Sequence, residues 1–157
     1  MRTVLAIIML STLTANALAA EVTLDGKALD AALLAVVDGD SVTVDGREWR
    51  LMGYDTPEIE RAKCEGERRV GVLAKRRLEQ LVGGAQRIAL VNSGERDRHK
   101  RPLGRMAVDG RDVGDILVEE LYARPYNGGP RRGWCSRDSR DDLIPGPQPA
   151  RKLGPPD

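Results

Sequence analysis

Three short segments hold the side chains that could do chemistry: Val37-Asp38-Gly39-Asp40-Ser41, Arg50-Leu51-Met52-Gly53-Tyr54-Asp55-Thr56-Pro57-Glu58 and Asp97-Arg98-His99-Lys100-Arg101-Pro102-Leu103. Asp40 and Asp55 are carboxylates of the kind that bind a hard divalent cation, Glu58 is a carboxylate that can handle a water, and Arg50 and Arg101 are guanidinium forks that fit a phosphoryl group. Together they are the parts that phosphodiester hydrolysis needs. Each segment alone has a plainer reading. Asp38-Gly39-Asp40 is also an Asp-rich turn bonding its own backbone, Glu58 an acid in the first turn of a helix, and Arg101 one more charge on a basic loop. An EF-hand is excluded, because counting from Asp38 puts Thr43 where a Gly is needed and Trp49 where the bidentate Glu belongs.

Arg50 and Asp55 stand an odd number of steps apart, so a regular strand would send their side chains to opposite faces. The chain must therefore bulge or turn between them, and Gly53 is the natural place. Pro57 then holds Thr56 extended, which keeps the Thr56 backbone carbonyl out of a helical ladder and free to act as a hard oxygen ligand.

The elements that would position these groups follow from periodicity. Short β-rich runs cover Val22 to Leu24, Leu34 to Val37, Ser41 to Val44 and Glu48 to Met52, with Asp25-Gly26 and Asp45-Gly46 as tight turns. Val70, Leu73, Ala74, Leu78 and Leu81 fall near helical spacing between Glu65 and Val82, and Gly83-Gly84 is expected to stop that helix. Strands at Arg87 to Val91 and Leu103 to Val108 flank the basic loop. A second helix is expected from about Val113 to Leu121, capped by Asp112 with Asp115 in its first turn. This order fits a small five-stranded OB-fold barrel, α+β but mainly β, with two to three helices.

The 157 residues allow one domain and one core. With 41% hydrophobic residues, only 3% aromatic and no Phe, that core must come mostly from Val, Leu, Ile and Ala. Residues 1–20 read as a secretory signal: Arg2, an apolar run from Val4 to Leu10, and an Ala17-Leu18-Ala19 cleavage site. The run is too short to span a bilayer, and the mature protein is expected to be exported, periplasmic or secreted, without a membrane partner. The folded domain would then be 21–135, and the Pro/Gly-rich 136–157 a disordered tail.

Losing Arg2 takes the formal charge from +1 to +1 − 1 = 0, so attraction of a polyanion must come from local clustering at Arg96, Arg98, Lys100, Arg101 and Arg105. A solvated basic loop would look the same. Cys64 and Cys135 form an even pair bound for an oxidising compartment and are expected to make one disulfide. A zinc site is the weaker reading, since His99 is the only histidine and there is no C-x-x-C pair.

Over roughly Leu33 to Cys135 the chain resembles the staphylococcal nuclease family. The family's Asp-Gly-Asp-Thr turn appears as Asp38-Gly39-Asp40-Ser41, its Arg before Asp-Thr-Pro-Glu as Arg50 with Asp55-Thr56-Pro57-Glu58, and its later Arg as Arg101. The resemblance implies an OB-fold nuclease that binds one Ca2+ through Asp40, Asp55 and the carbonyl of Thr56, with Glu58 as general base and Arg50 and Arg101 on the phosphate. It implies a monomer acting on DNA and RNA, preferably single-stranded, with products ending in 3′-phosphates. Segments such as Leu121 to Tyr126 and Gly133-Trp134-Cys135 are similar to those of exported bacterial members, and Tyr126 is expected either to stack near a base or to pack in the core or at the rim. Departures from the family pattern are Ser41 for Thr, His99 for Tyr, Lys100 for the Gly before the later Arg, and a Pro-rich tail in place of a long C-terminal helix. Arg105, preceded by Gly104, offers an alternative register, but Arg101-Pro102-Leu103 runs better into the next strand. The competing reading is an OB-fold module that binds single-stranded nucleic acid without cutting it.

Overall fold

The computed structural model describes residues 20–135. The expected signal segment up to residue 19 and the expected tail from residue 136 lie outside the described residues.

The chain opens with β1 (Glu21–Leu24) and β2 (Lys27–Leu29), then a single 3-10 turn at Ala31–Leu33. A meander follows: β3 (Leu34–Asp38), β4 (Ser41–Val44) and β5 (Arg47–Leu51). Asp45 and Gly46, with φ of 49° and 71°, make the tight turn that the Asp-Gly step predicts between β4 and β5. Next come β6 (Gly53–Asp55) and helix α1 (Glu65–Gly84). Then β7 (Arg87–Arg96) runs out through the basic hairpin and β8 (Pro102–Val108) returns. The chain closes with β9 (Arg111–Asp112), α2 (Val113–Glu119) and β10 (Arg124–Tyr126).

These strands form an 8-stranded sheet in the order β2-β1-β7-β8-β5-β4-β3, with β9 beside β8, curled into a half barrel. β10 and β6 form a separate antiparallel pair. The fold is mixed α+β and mostly strands, as expected for an OB-like barrel with two helices. Its core is lined by alternate residues of the strands, among them Val42, Val44, Leu51, Leu90, Met106 and Val108, and is closed by Leu78 of α1 and Leu117 of α2. Trp49 and Tyr54 are also buried in it.

The helix expected to stop at Gly83-Gly84 runs through both glycines and ends with Ala85 as an extended cap. Leu81, Val82 and Ala85 pack against the core, and this tertiary contact holds a last turn that glycine propensity alone would fray. The buried stripe of α1 is Val70, Gly71, Ala74 and Leu78, whereas Leu73, expected on it, is exposed. β7 extends to Arg96, beyond the expected Val91. Its polar outer half shows no alternation in sequence but pairs with β8 across a register shift between Asn92 and Arg96. α2 ends at Glu119, and Leu121 takes a left-handed φ of 65° as the chain turns away.

Candidate active site

Two tight packings build the site's floor. A Cβ on Gly39 would stand 2.8 Å from the Ala74 Cβ and 2.9 Å from the Thr56 side chain, so only glycine lets the Asp38-Gly39-Asp40 turn lie between α1 and Thr56. Tyr54, buried on β6, donates its hydroxyl to the Gly39 carbonyl at 3.1 Å. Burial, with Asp40 adding to it, holds that phenol well above its usual pKa, so it remains a donor.

The expected break between Arg50 and Asp55 is present. β5 ends at Leu51, and β6 begins at Gly53 with φ +97°. The change of direction brings Arg50 Nη2 to 3.1 Å from Asp55 Oδ1 and 3.3 Å from the Tyr54 carbonyl, while Arg50 Nη1 pairs with Asp40 Oδ2. One guanidinium thus bridges both carboxylates. Arg50, Asp40, Asp55 and Thr56 are all buried. The Thr56 backbone N–H donates to Asp40 Oδ2 at 3.1 Å, which pins Thr56 beside the Asp40 carboxylate.

Glu58 is half-exposed and sits in a loop, not in the first turn of a helix. Its Oε1 accepts from Arg131 Nη1 at 2.8 Å, and Arg131 Nε lies 3.2 Å from Asp55 Oδ1. Burial works against the Arg131 charge, but Asp55, Asp40 and Glu58 outweigh it and hold the guanidinium's pKa above its ordinary value. Asp55 Oδ2 accepts from the Trp134 indole N–H at 3.4 Å. Burial also pushes Asp38 up to about 6, with Asp40 and Glu58 adding to the effect and the Gly39 N–H and Lys75 opposing it.

Arg101 reaches the same cluster from the hairpin. Its Nη1 lies 2.6 Å from Glu48 Oε1 and 3.4 Å from Ser41 Oγ, and Ser41 donates to Asp40 Oδ1 at 3.3 Å. Its Nε and backbone N–H donate to Asp97 at 2.8 Å and 2.9 Å. Lys100, at the position of the family's Gly, adopts the left-handed conformation with φ 64°. The turn that aims Arg101 therefore keeps a glycine-like backbone without a glycine. Arg105, the alternative, pairs with Asp112 at 3.3 Å and packs on Gly53.

Asp40, Arg50, Glu58, Arg101, Arg105 and Arg131 line one cleft of about 1270 Å³. Asp55 faces a smaller hollow of about 470 Å³ beside Arg124 and Arg132, and the two share the wall at Tyr126 to Gly128. Thr56 lines neither and borders the site through its backbone. Arg131 and Trp134 are site neighbours that the sequence did not assign. Both arrive on a Gly/Pro-rich segment far from the motifs, and the only local sign was the Gly133-Trp134-Cys135 likeness.

Cys64 and Cys135 form a disulfide, as expected, with Cα atoms 6.0 Å apart. It ties the N-cap of α1 to the segment that carries Arg131 and Trp134. Among the described residues no helix is long and apolar enough to cross a membrane. A protein-family model described as staphylococcal nuclease homologue matches residues 48–140, more than half of the chain. No curated protein matches it.

Proposed function

The chain belongs to the staphylococcal nuclease homologue family, which implies a nuclease, and on that footing we propose a calcium-dependent endonuclease that hydrolyses phosphodiester bonds of DNA and RNA. The observation that carries this reading is the convergence of Asp40, Asp55 and Glu58 around the Arg50 and Arg131 guanidiniums.

Asp40, Asp55 and the Thr56 carbonyl are the proposed cation ligands. They are all oxygen donors, the set a hard ion such as Ca2+ prefers, and the two carboxylates lie on one shared guanidinium. When bound, the ion would act as a Lewis acid on the scissile phosphate.

Glu58 takes a proton from a water lying in the cleft, and the water oxygen attacks phosphorus in line with the departing 5′-oxygen. The P–O5′ bond breaks, the 5′-oxygen leaves as a hydroxyl after taking a proton from solvent water, the protonated Glu58 returns its proton to solvent, and the phosphate stays on the 3′ side. Arg50 and Arg101 hold the phosphate and offset the charge that grows on its equatorial oxygens. Arg101 stays anchored by Asp97 through Nε while Nη1 exchanges Glu48 and Ser41 for phosphate oxygen.

The substrate strand is single or frayed, the enzyme works as an exported monomer, and the disulfide supports the extracytoplasmic compartment. Incubating residues 21–157 with single-stranded DNA in calcium or in chelator tests the reading, with Arg50→Ala run alongside. Cutting only in calcium, lost in the variant, is expected. Binding without cutting under any metal would replace the enzyme by a nucleic-acid-binding module.

A further inference from the structure

Asp55 is addressed from two directions. Arg50 and Arg131 approach Oδ1, while the only group described at Oδ2 is the indole N–H of Trp134. Trp134 is 6% exposed. Two anchors fix its place: the Arg124 guanidinium, which lies 3.8 Å over the ring centroid and donates through Nη1 to the Gly133 carbonyl at 3.0 Å, and the adjacent Cys135, which is bridged to Cys64. Arg124 is itself the cross-strand partner of Asp55 in the β10–β6 pair. Ring, guanidinium and carboxylate therefore rest on one short ribbon.

We propose that Trp134 is a positioning residue for the cation site, its indole N–H fixing the Asp55 carboxylate so that the Asp55 charge faces a divalent cation shared with Asp40. The proposal rests on the calcium reading above. Indole suits the task because it only donates: it cannot ligate the ion in place of Asp55, and being neutral it leaves the Asp55 charge intact. Arg131 differs, since its positive charge opposes a cation on the same carboxylate. Hydrogen bonds from outside the ligand set that orient a ligating carboxylate are typically worth about 10- to 100-fold in metal affinity. The disulfide gives the donor a rigid mount, so the stabilising bond and the site's geometry are one device.

The test is calcium binding to residues 21–157 by titration calorimetry, comparing the unmodified chain with Trp134→Phe. Phenylalanine keeps the ring under Arg124 and removes only the N–H donor. Calcium affinity should fall at least tenfold, while cleavage at saturating calcium returns to near the unmodified rate, a split that a general loss of fold would not produce. Equal affinity for the two proteins would overturn the proposal. A second measurement needs no substitution: in the unmodified protein with 15N-labelled tryptophan, the Trp134 indole N–H resonance should move along the calcium titration while that of Trp49, buried in the barrel, stays still. An unmoved Trp134 resonance with calcium bound overturns the role even if the Phe variant fails to fold. If the unmodified chain binds no calcium, the reading of the site itself fails and takes this proposal with it.

Discussion

Gly71 of α1 lies against the backbone of Glu58: a Cβ there would stand 3.0 Å from the Glu58 carbonyl oxygen and 2.7 Å from that of Pro57. The helix thus seats the proposed general base by backbone contact. Gly71→Ala should cost about 1–3 kcal/mol from overpacking, and should lower turnover by roughly 100-fold because a shift near 1 Å in the base is enough. Chemical denaturation and single-turnover cleavage measure the two effects. A variant as active and as stable as the parent would show that the loop does not need this seat.

Arg50 is the counter-charge of two buried carboxylates. Arg50→Gln should destabilise the protein in chelator by about 3–5 kcal/mol, the usual loss when one member of a buried ion pair is removed. Calcium, bound by the carboxylates so released, should recover part of that loss. Thermal unfolding with and without calcium reads the difference. An equal loss in both conditions would argue against a cation at Asp40 and Asp55.

These carboxylates were legible because each lies in a recognisable motif, and the parity of Arg50 and Asp55 pointed to the break that turns Asp55 towards Arg50. The short strands β2, β6 and β10 were not legible. Each is too brief to show alternation and exists only because a partner strand supplies its hydrogen bonds. Arg131 and Trp134 escaped for a related reason. They meet Glu58 and Asp55 across 73 and 79 residues of chain, and nothing in their own segment marks that contact.

Lys100 holds a left-handed φ of 64°, a conformation that costs a side-chain-bearing residue about 1 kcal/mol relative to glycine. Lys100→Gly should raise the denaturation free energy by about that amount and leave cleavage unchanged, since the backbone that aims Arg101 is already glycine-like. A destabilised variant would mean that the lysine side chain contributes more than its backbone costs.

Asp97 anchors Arg101. Burial alone would raise its carboxyl pKa, but hydrogen bonds from the Arg101 side chain and backbone outweigh burial and hold it below the ordinary 3.8. A depressed carboxylate contributes stability in full above its unfolded value and loses it as pH falls through the lower folded value. The stability gap between the parent and Asp97→Asn should therefore be greatest near neutral pH and shrink below about pH 4. Urea denaturation across that range checks it, and a gap that widened in acid would reverse the assignment.

Glu58 as the proposed base that activates water for calcium-dependent hydrolysis can be checked by end-group analysis of cleaved single-stranded DNA. Parent and Glu58→Gln should be compared at saturating calcium, with chelator controls. Expected are 3′-phosphate products from the parent, no cutting in chelator, and a rate at least about 100-fold lower for Glu58→Gln, within the usual range for loss of a general base. Undiminished cutting by Glu58→Gln, or products ending in 5′-phosphates, would contradict it.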